Sequence, residues 1–395
     1  MKVGRLARQL REIWEVPRDL VLGRYPAFVT GGPLQKGEIP VFVFHSLEPV
    51  SFERKLRHLR DNGYRTLGAD EYLEALTGTR PFPDRGVVLS FDDGRGSLWG
   101  VGAPLLRRHG MCGVVFLVPA RVRSRPGPLP PNWDDVLGQR APAREVLERE
   151  AGEGALLSWE EIEALSRKGT LEFQSHTLSH ARIHTAPRLA GFMSPAGRHP
   201  YRALDVPWIR DGTRDLWAHE VPLGTPLLES APRTSESLRF LEDTRIRAAP
   251  VSRVGAEGGE AFFARAGWEK RLWRMLAGCA IDGRFETPDE RETALRREFQ
   301  LGRDLIQERT GRRVTHLCYP WHTAGPTARR LAEEAGYRTA FCGKLRGVPI
   351  TPVNGDPLAV ARIGEDYVER LPGRGRASLA SVLREKWRRR LAALP

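Results

Sequence analysis

Apolar and polar positions alternate along this chain in a recurring strand–helix rhythm. Near-continuous apolar runs at Ile39 to Phe44, Gly86 to Phe91, Gly113 to Val118, Leu171 to Gln174, Val314 to Tyr319, Tyr337 to Cys342 and Leu358 to Ile363 read as strands. Runs of this kind suit central parallel strands covered on both faces. Between them lie helical stretches at about 52–62, from Asp70, at 97–109, at 289–309 and at 326–335. One more opens on the capping box Ser158-Trp159-Glu160-Glu161 and stops at Gly169. Alternating β and α units imply parallel strands joined by right-handed crossovers. About seven strands over this length predict an α/β fold, a distorted (β/α) barrel with its chemistry at the C-terminal ends of the strands.

Three stretches break the rhythm. Residues 1–34 hold a basic amphipathic helix, with Leu6, Leu10, Ile13 and Trp14 on one face and Arg5, Arg8 and Arg11 opposite. It either packs on its own domain or anchors at an interface. Residues 185–287 are rich in Pro, Gly and Arg and lack clear periodicity. They carry Trp208, Trp217, Trp268 and Trp273, too many aromatics for a disordered insert. The expectation is a partly folded insertion near the active-site rim. Residues 367–395 end in the basic helix Arg384-Glu385-Lys386-Trp387-Arg388-Arg389-Arg390-Leu391. The barrel itself is then 35–184 joined to 288–366.

Composition narrows the partners. The 62 Lys and Arg exceed the 49 Asp and Glu, a net charge of 62 − 49 = +13 across 395 residues. The excess fits either a proteome rich in Arg codons or contact with an anionic membrane surface. No nucleic-acid module is visible, so nucleic acid is not an expected partner. The four cysteines, Cys112, Cys279, Cys318 and Cys342, form no CxxC pair and read as free thiols in a reducing compartment. Charges interrupt any apolar stretch after Met1, and no run approaches the length of a membrane span. The expected location is cytoplasmic, peripheral to the inner membrane.

The chemistry gathers at three strand ends. Ser90-Phe91-Asp92-Asp93-Gly94 places two adjacent carboxylates where mutual repulsion demands a cation or a proton. Ser175-His176-Thr177-Leu178-Ser179-His180 sets two histidines at i and i+4, on one face if the turn is helical, with His184 continuing the spacing. His316-Leu317-Cys318-Tyr319-Pro320-Trp321-His322 ends a strand in an aromatic turn able to line a sugar pocket. Taken singly, each has an ordinary reading: an Asp-Gly turn, a solvated histidine pair, a strand exit.

In order and spacing these blocks, with Val41-Phe42-Val43-Phe44-His45-Ser46 ahead of them, resemble the polysaccharide deacetylase family that shares the NodB homology domain. The resemblance covers about 39–184 and 290–364. It implies Asp92 as general base, Asp93, His176 and His180 as ligands of a zinc or another divalent transition metal, and Arg362 as the residue that orients the base. Tyr319, Pro320, Trp321, Arg362 and His45 are the expected substrate-pocket residues. The implied reaction is removal of the acetyl group from an N-acetylated sugar in a glycan or glycolipid, in surface polysaccharide synthesis. This chain departs from the family pattern at Cys318, where an Arg is common, and at His322, where Gly is common. It also lacks the late histidine that serves as general acid, leaving His322, His184 or water for that part. Two other readings stay open: a degenerate relative that binds a glycan or a synthase without turnover, and an amidohydrolase of a non-sugar C–N bond.

Overall fold

In the computed structural model of the protein the described residues are 18–20, 22–343 and 348–392. The expected amphipathic helix lies, up to residue 17, outside them. The chain divides into two compact units, one of Met1–Ser179, Phe299–His322 and Ala332–Pro395, the other of His180–Glu298 and Thr323–Leu331.

The first unit is built on eight parallel strands: β1 Val41–Phe44, β2 Arg65–Thr66, β3 Gly86–Asp92, β4 Gly113–Leu117, β5 Leu171–Ser175, β6 His316–Cys318, β7 Thr339–Phe341 and β8 Ile363–Gly364. Their order is β7-β6-β5-β4-β3-β1-β8, with β2 beside β3. The sheet curls back on itself. Val360 pairs with Phe341 of β7, and Ile363, three residues on, pairs with Phe42 of β1. The result is the distorted barrel the pattern predicts. The additional strand, β2, has only two residues and is too short to leave a periodic signature.

Period-two alternation decides what each strand offers to the interior. Val41, Val88, Val114, Phe116, Cys318, Phe341 and Val360 come from six places around the ring and pack into one cluster. The alternate residues Phe44 and Phe91 point outward and meet Phe52 of the helix Pro49–Asp61, with ring centroids 5.2 to 6.0 Å apart. Counting inward from Val88 through Ser90, the next interior position of β3 is Asp92, at the open end of the barrel. All seven residues of β3 are buried.

The helix Trp159–Lys168 begins and ends where the sequence marks it. Ser158 accepts from the Glu161 N–H, Glu161 accepts in return from the Ser158 N–H, and Gly169 closes the helix at φ 70°.

The second unit begins five residues before the expected insertion and is folded throughout its length, where only partial order was expected. Arg182–Phe192 pairs antiparallel with Pro226–Pro232, Ile209–Asp211 with Arg214–Leu216, and Phe240–Glu242 with Gly283–Phe285. Met193, Ile209, Leu216 and Val221 belong to one core cluster; Phe192, Val254, Phe262 and Leu272 form another. Trp208 and Trp217 pack edge to face. Short, bulged strands with turns between them give no sustained period, which is why the pattern is silent here.

The C-terminal helix Leu379–Ala392 is answered within its own unit. Lys386 pairs with Asp366 at 2.8 Å, Arg389 with Glu365 at 3.0 Å, and Arg54 reaches Glu385 at 3.0 Å. Its basic face is therefore in part an intramolecular one. No helix among the described residues is long and apolar enough to cross a membrane.

Because Phe91 is fully buried between strand and helix, truncating it leaves a cavity as well as lost transfer energy. Phe91→Ala is expected to lower the unfolding free energy by about 3–5 kcal/mol, read from the midpoint of a urea titration at unchanged m-value.

Candidate active site

Asp92 and Asp93 stand side by side at the end of β3, and each is answered by its own arginine. Arg362 grips Asp92 with both arms, Nη1 to Oδ1 at 2.7 Å and Nη2 to Oδ2 at 2.8 Å. Its Nε donates to the Cys342 carbonyl at 2.9 Å, which fixes the guanidinium plane. Both side chains are almost entirely buried. Burial alone would push the Asp92 carboxyl up. The Arg362 charge and hydrogen bonds, helped by His176, outweigh burial and hold Asp92 far below the usual carboxylate range.

Asp93 takes a left-handed conformation, φ 70°, which turns its side chain away from its neighbour. Arg95 binds one oxygen, Oδ2, with Nη2 at 2.9 Å and Nε at 3.2 Å, and is braced by the Ser46 hydroxyl at 3.0 Å. The other oxygen, Oδ1, lies 3.8 Å from His176 Nε2. Arg95 has no counterpart in the sequence expectations. An arginine two residues past an Asp pair looks like one more surface charge until the turn is folded.

His176 follows β5 directly. Its Nδ1 donates to the Cys318 carbonyl at 2.7 Å. That bond fixes the tautomer and leaves Nε2 as the donor atom for a ligand, the usual arrangement of a metal-binding histidine. The run to His180 is not the helical turn that the i, i+4 spacing suggested. Thr177 and His180 sit at φ 63° and 56°, so the segment is a looped turn that reverses the second ring by backbone conformation. Gly302 of the helix Pro288–Thr310 presses against this turn: a Cβ there would lie 2.8 Å from the Leu178 nitrogen. Donor atoms of Asp93, His176 and His180 lie within 4.8 Å of one another, and all three residues are buried. Two imidazoles and one carboxylate are a donor set suited to zinc with an open position.

A second set, Asp92, His176 and Cys318, meets the same distance limit. Both Asp92 oxygens are already engaged by Arg362, and burial pushes the Cys318 thiol well above its ordinary range. A neutral thiol beside an occupied carboxylate is a poor ligand pair, so the Asp93 set is the metal site that the chemistry favours. The Cys318 thiol lies 3.9 Å from Asp92 Oδ2, a weak donor beside the Arg362 grip.

The remaining candidates divide. His322 lies beside Arg362, with Nδ1 at 3.0 Å from Nη2. A guanidinium only donates, so Nδ1 accepts and the ring proton sits on Nε2. Confinement in the cleft and then the Arg362 charge push the imidazole pKa down, so the ring is neutral at neutral pH, although the residue keeps an exposed edge. Trp321 and His322 are both left-handed, at φ 49° and 60°. His45 ends β1 with an exposed surface, close enough to feel the charges of Asp93 and Asp92.

His184 and Tyr319 are corrections. His184 is fully buried in the strand Arg182–Phe192, where Nδ1 donates to Glu242 at 3.0 Å and Nε2 accepts from the Leu228 N–H at 3.2 Å. Both ring nitrogens are spent inside the second unit, and no proton is left to give. Tyr319 is 0% exposed, so its ring offers no face to a sugar; Pro320 is buried behind it. Of the aromatic turn, Trp321 alone keeps accessible surface. Arg362, expected in the substrate pocket as well as beside the base, is committed to Asp92.

Removing one partner of a buried ion pair strands the other charge. Arg362→Met is expected to cost about 3–5 kcal/mol of stability, and Arg362→Met with Asp92→Asn much less, as read by thermal unfolding of both variants.

Residues 79–192 match the family model described as polysaccharide deacetylase. The chain is 28% identical over 136 residues to the poly-beta-1,6-N-acetyl-D-glucosamine N-deacetylase of Escherichia coli K12, covering 34% of this chain and 18% of that one. It is 28% identical over 89 residues to a Bacillus subtilis protein that bears the polysaccharide deacetylase name, covering 20% of this chain and 32% of the relative. It thus spans a third or less of the curated relatives it matches. Among solved structures, a de-N-acetylase from Aggregatibacter actinomycetemcomitans superposes with a TM-score of 0.49 at 16% identity, covering 82% of this chain and 94% of that one. The Asp-Asp-Gly and His-x-x-x-His blocks both fall inside the residues that match the polysaccharide deacetylase model.

Proposed function

We propose that this protein is a metal-dependent hydrolase that removes the acetyl group from an N-acetylated sugar within a glycan or glycolipid, serving surface polysaccharide synthesis. The observation that carries the reading is the pairing of a two-histidine, one-carboxylate donor set with a separate carboxylate, Asp92, held ionised beside it. The E. coli relative's name supports an N-acetylhexosamine as the sugar. A zinc or similar divalent ion held by Asp93, His176 and His180 would supply Lewis-acid polarisation of the amide carbonyl.

The chain's own residues then do the following. Asp92 accepts the proton of the attacking water, since it is ionised and faces the donor set. Arg362 keeps it ionised and fixed in plane, at the cost of basicity. Arg95 ties down Asp93 Oδ2, so that only Oδ1 faces inward. Trp321, accessible at the rim, stacks on the sugar ring. His322 is neutral at working pH, so it serves as a hydrogen-bond donor through Nε2–H and does not act as an imidazolium acid. With His184 sequestered, the proton delivered to the leaving amine is the one Asp92 took from water.

A non-catalytic glycan-binding role would need none of this. A binding site has no use for a buried carboxylate held ionised by a bidentate guanidinium.

Acetate release from N-acetylglucosamine oligomers is expected to vanish on chelation and return with zinc. Asp92→Asn is expected to lose about a thousandfold or more in kcat, whereas His322→Gln, which keeps a donor, loses about tenfold or less, each unit of ten being about 1.4 kcal/mol. A His322→Gln loss as deep as that of Asp92→Asn would overturn the single-carboxylate proton path.

A further inference from the structure

In the second unit the helix Trp268–Met275 runs on into Leu276-Ala277-Gly278-Cys279-Ala280-Ile281, an apolar segment that stays largely exposed. Leu272 turns inward and packs with Phe192, Val254 and Phe262. Trp273 and Met275 turn outward, 39% and 37% exposed. Trp273 is held edge-on by Phe192, with centroids 6.1 Å apart, so the indole is fixed where it is. Together with Pro187 and Leu189 the segment walls an open trough of about 660 Å³. The exposed Trp273 and Met275 lie side by side with this apolar segment, not scattered singly.

The charged side chains that line the trough are Arg188, Lys270 and Arg274, and no carboxylate, amide or hydroxyl side chain borders it. Arg188 has Glu229 at 2.9 Å. Lys270 and Arg274 have no carboxylate partner among the described residues. Sugars are held by side chains that both accept and donate hydrogen bonds, and the charged side chains here only donate. An apolar floor with a donor-only cationic rim matches a surface with hydrocarbon below and phosphate above. A fixed Trp beside Lys and Arg is also the composition found at the level of lipid headgroups.

We infer that this ledge, Trp273 to Ile281 with Lys270 and Arg274, docks the protein on an anionic phospholipid bilayer. The contact is independent of the hydrolase site and of the charged terminal helices. Trp273 and Met275 enter at the headgroup level, while Lys270 and Arg274 meet lipid phosphates. Such binding weakens as salt rises.

Cys279 lies within the ledge, is exposed, and supplies the probe. Cys112 is half-buried and is replaced by Ser to make labelling single; Cys318 and Cys342 are buried. The full chain, labelled at Cys279 with a polarity-sensitive fluorophore, is mixed with vesicles of phosphatidylglycerol and phosphatidylcholine or of phosphatidylcholine alone. The expected result is flotation and a blue shift with the anionic vesicles only. Lys270→Glu with Arg274→Glu is expected to raise the half-saturating lipid concentration at least tenfold, and so is Trp273→Ser with Met275→Ser. Both variants should stay folded by circular dichroism and keep wild-type acetate release from soluble oligomers, which separates this claim from the catalytic one. Absence of flotation, flotation unaltered in both variants, or flotation without a shift at Cys279 would each overturn the assignment.

Discussion

Two carboxylates on consecutive residues, both buried, must each find a compensating charge, and that requirement organises the site. Asp92 and Asp93 are answered by different guanidiniums: alternation along β3 places Asp92 at an interior position, and Asp93 takes a left-handed turn. Arg362, arriving just before β8, satisfies the first, and Arg95, arriving from the turn itself, satisfies half of the second. The division holds Asp92 ionised in the grip of Arg362 and ties down one oxygen of Asp93, Oδ2, leaving Oδ1 on the side of His176. In the proposed mechanism one acid–base group and one metal-ligand group thus come from the same dipeptide. The closing of the barrel serves this too, since the segment that seals β7 to β1 is the one that delivers Arg362.

Backbone strain is concentrated in the same place. Eight non-glycine residues among those described have positive φ, and five of them are Asp93, Thr177, His180, Trp321 and His322. Each such residue costs of order 1 kcal/mol or more and persists only where surrounding structure over-determines it. Here the bracing is visible: Arg95 on Asp93, Gly302 against the turn that carries Thr177, and Arg362 on His322. Gly302 has no chemistry of its own. Its missing Cβ lets a long helix approach the histidine turn closely.

Much of this was legible in the residues. The β3 run from Gly86 ended where the apolar pattern placed it, and the Ser158–Glu161 box and Gly169 marked their helix to the residue. Asp92, Asp93 and His176 could be singled out because strand ends in a parallel barrel converge, and Arg362 only through the family resemblance. The failures have physical causes. Spacing of i and i+4 suggested a helical turn for His176 and His180, and left-handed φ at Thr177 replaced it; no period reveals that. His184 shared the spacing but belongs to a strand whose neighbours Glu242 and Leu228 are distant in sequence. Tyr319 reads as a stacking aromatic, yet one residue past β6 it is fully buried. The folded second unit was hidden because its longest strand pair is broken by register shifts and its other strands have three residues.

The central claim is that Asp93, His176 and His180 form one metal centre in a site that works as a hydrolase. Elemental analysis by mass spectrometry, on wild-type protein and on His176→Ala after identical zinc loading and desalting, tests it most directly. The account predicts about one zinc per chain in the wild type and none retained by the variant, with the fold intact by circular dichroism. Wild-type protein that retains no metal after loading, or a His176→Ala variant that retains as much as the wild type, would contradict it.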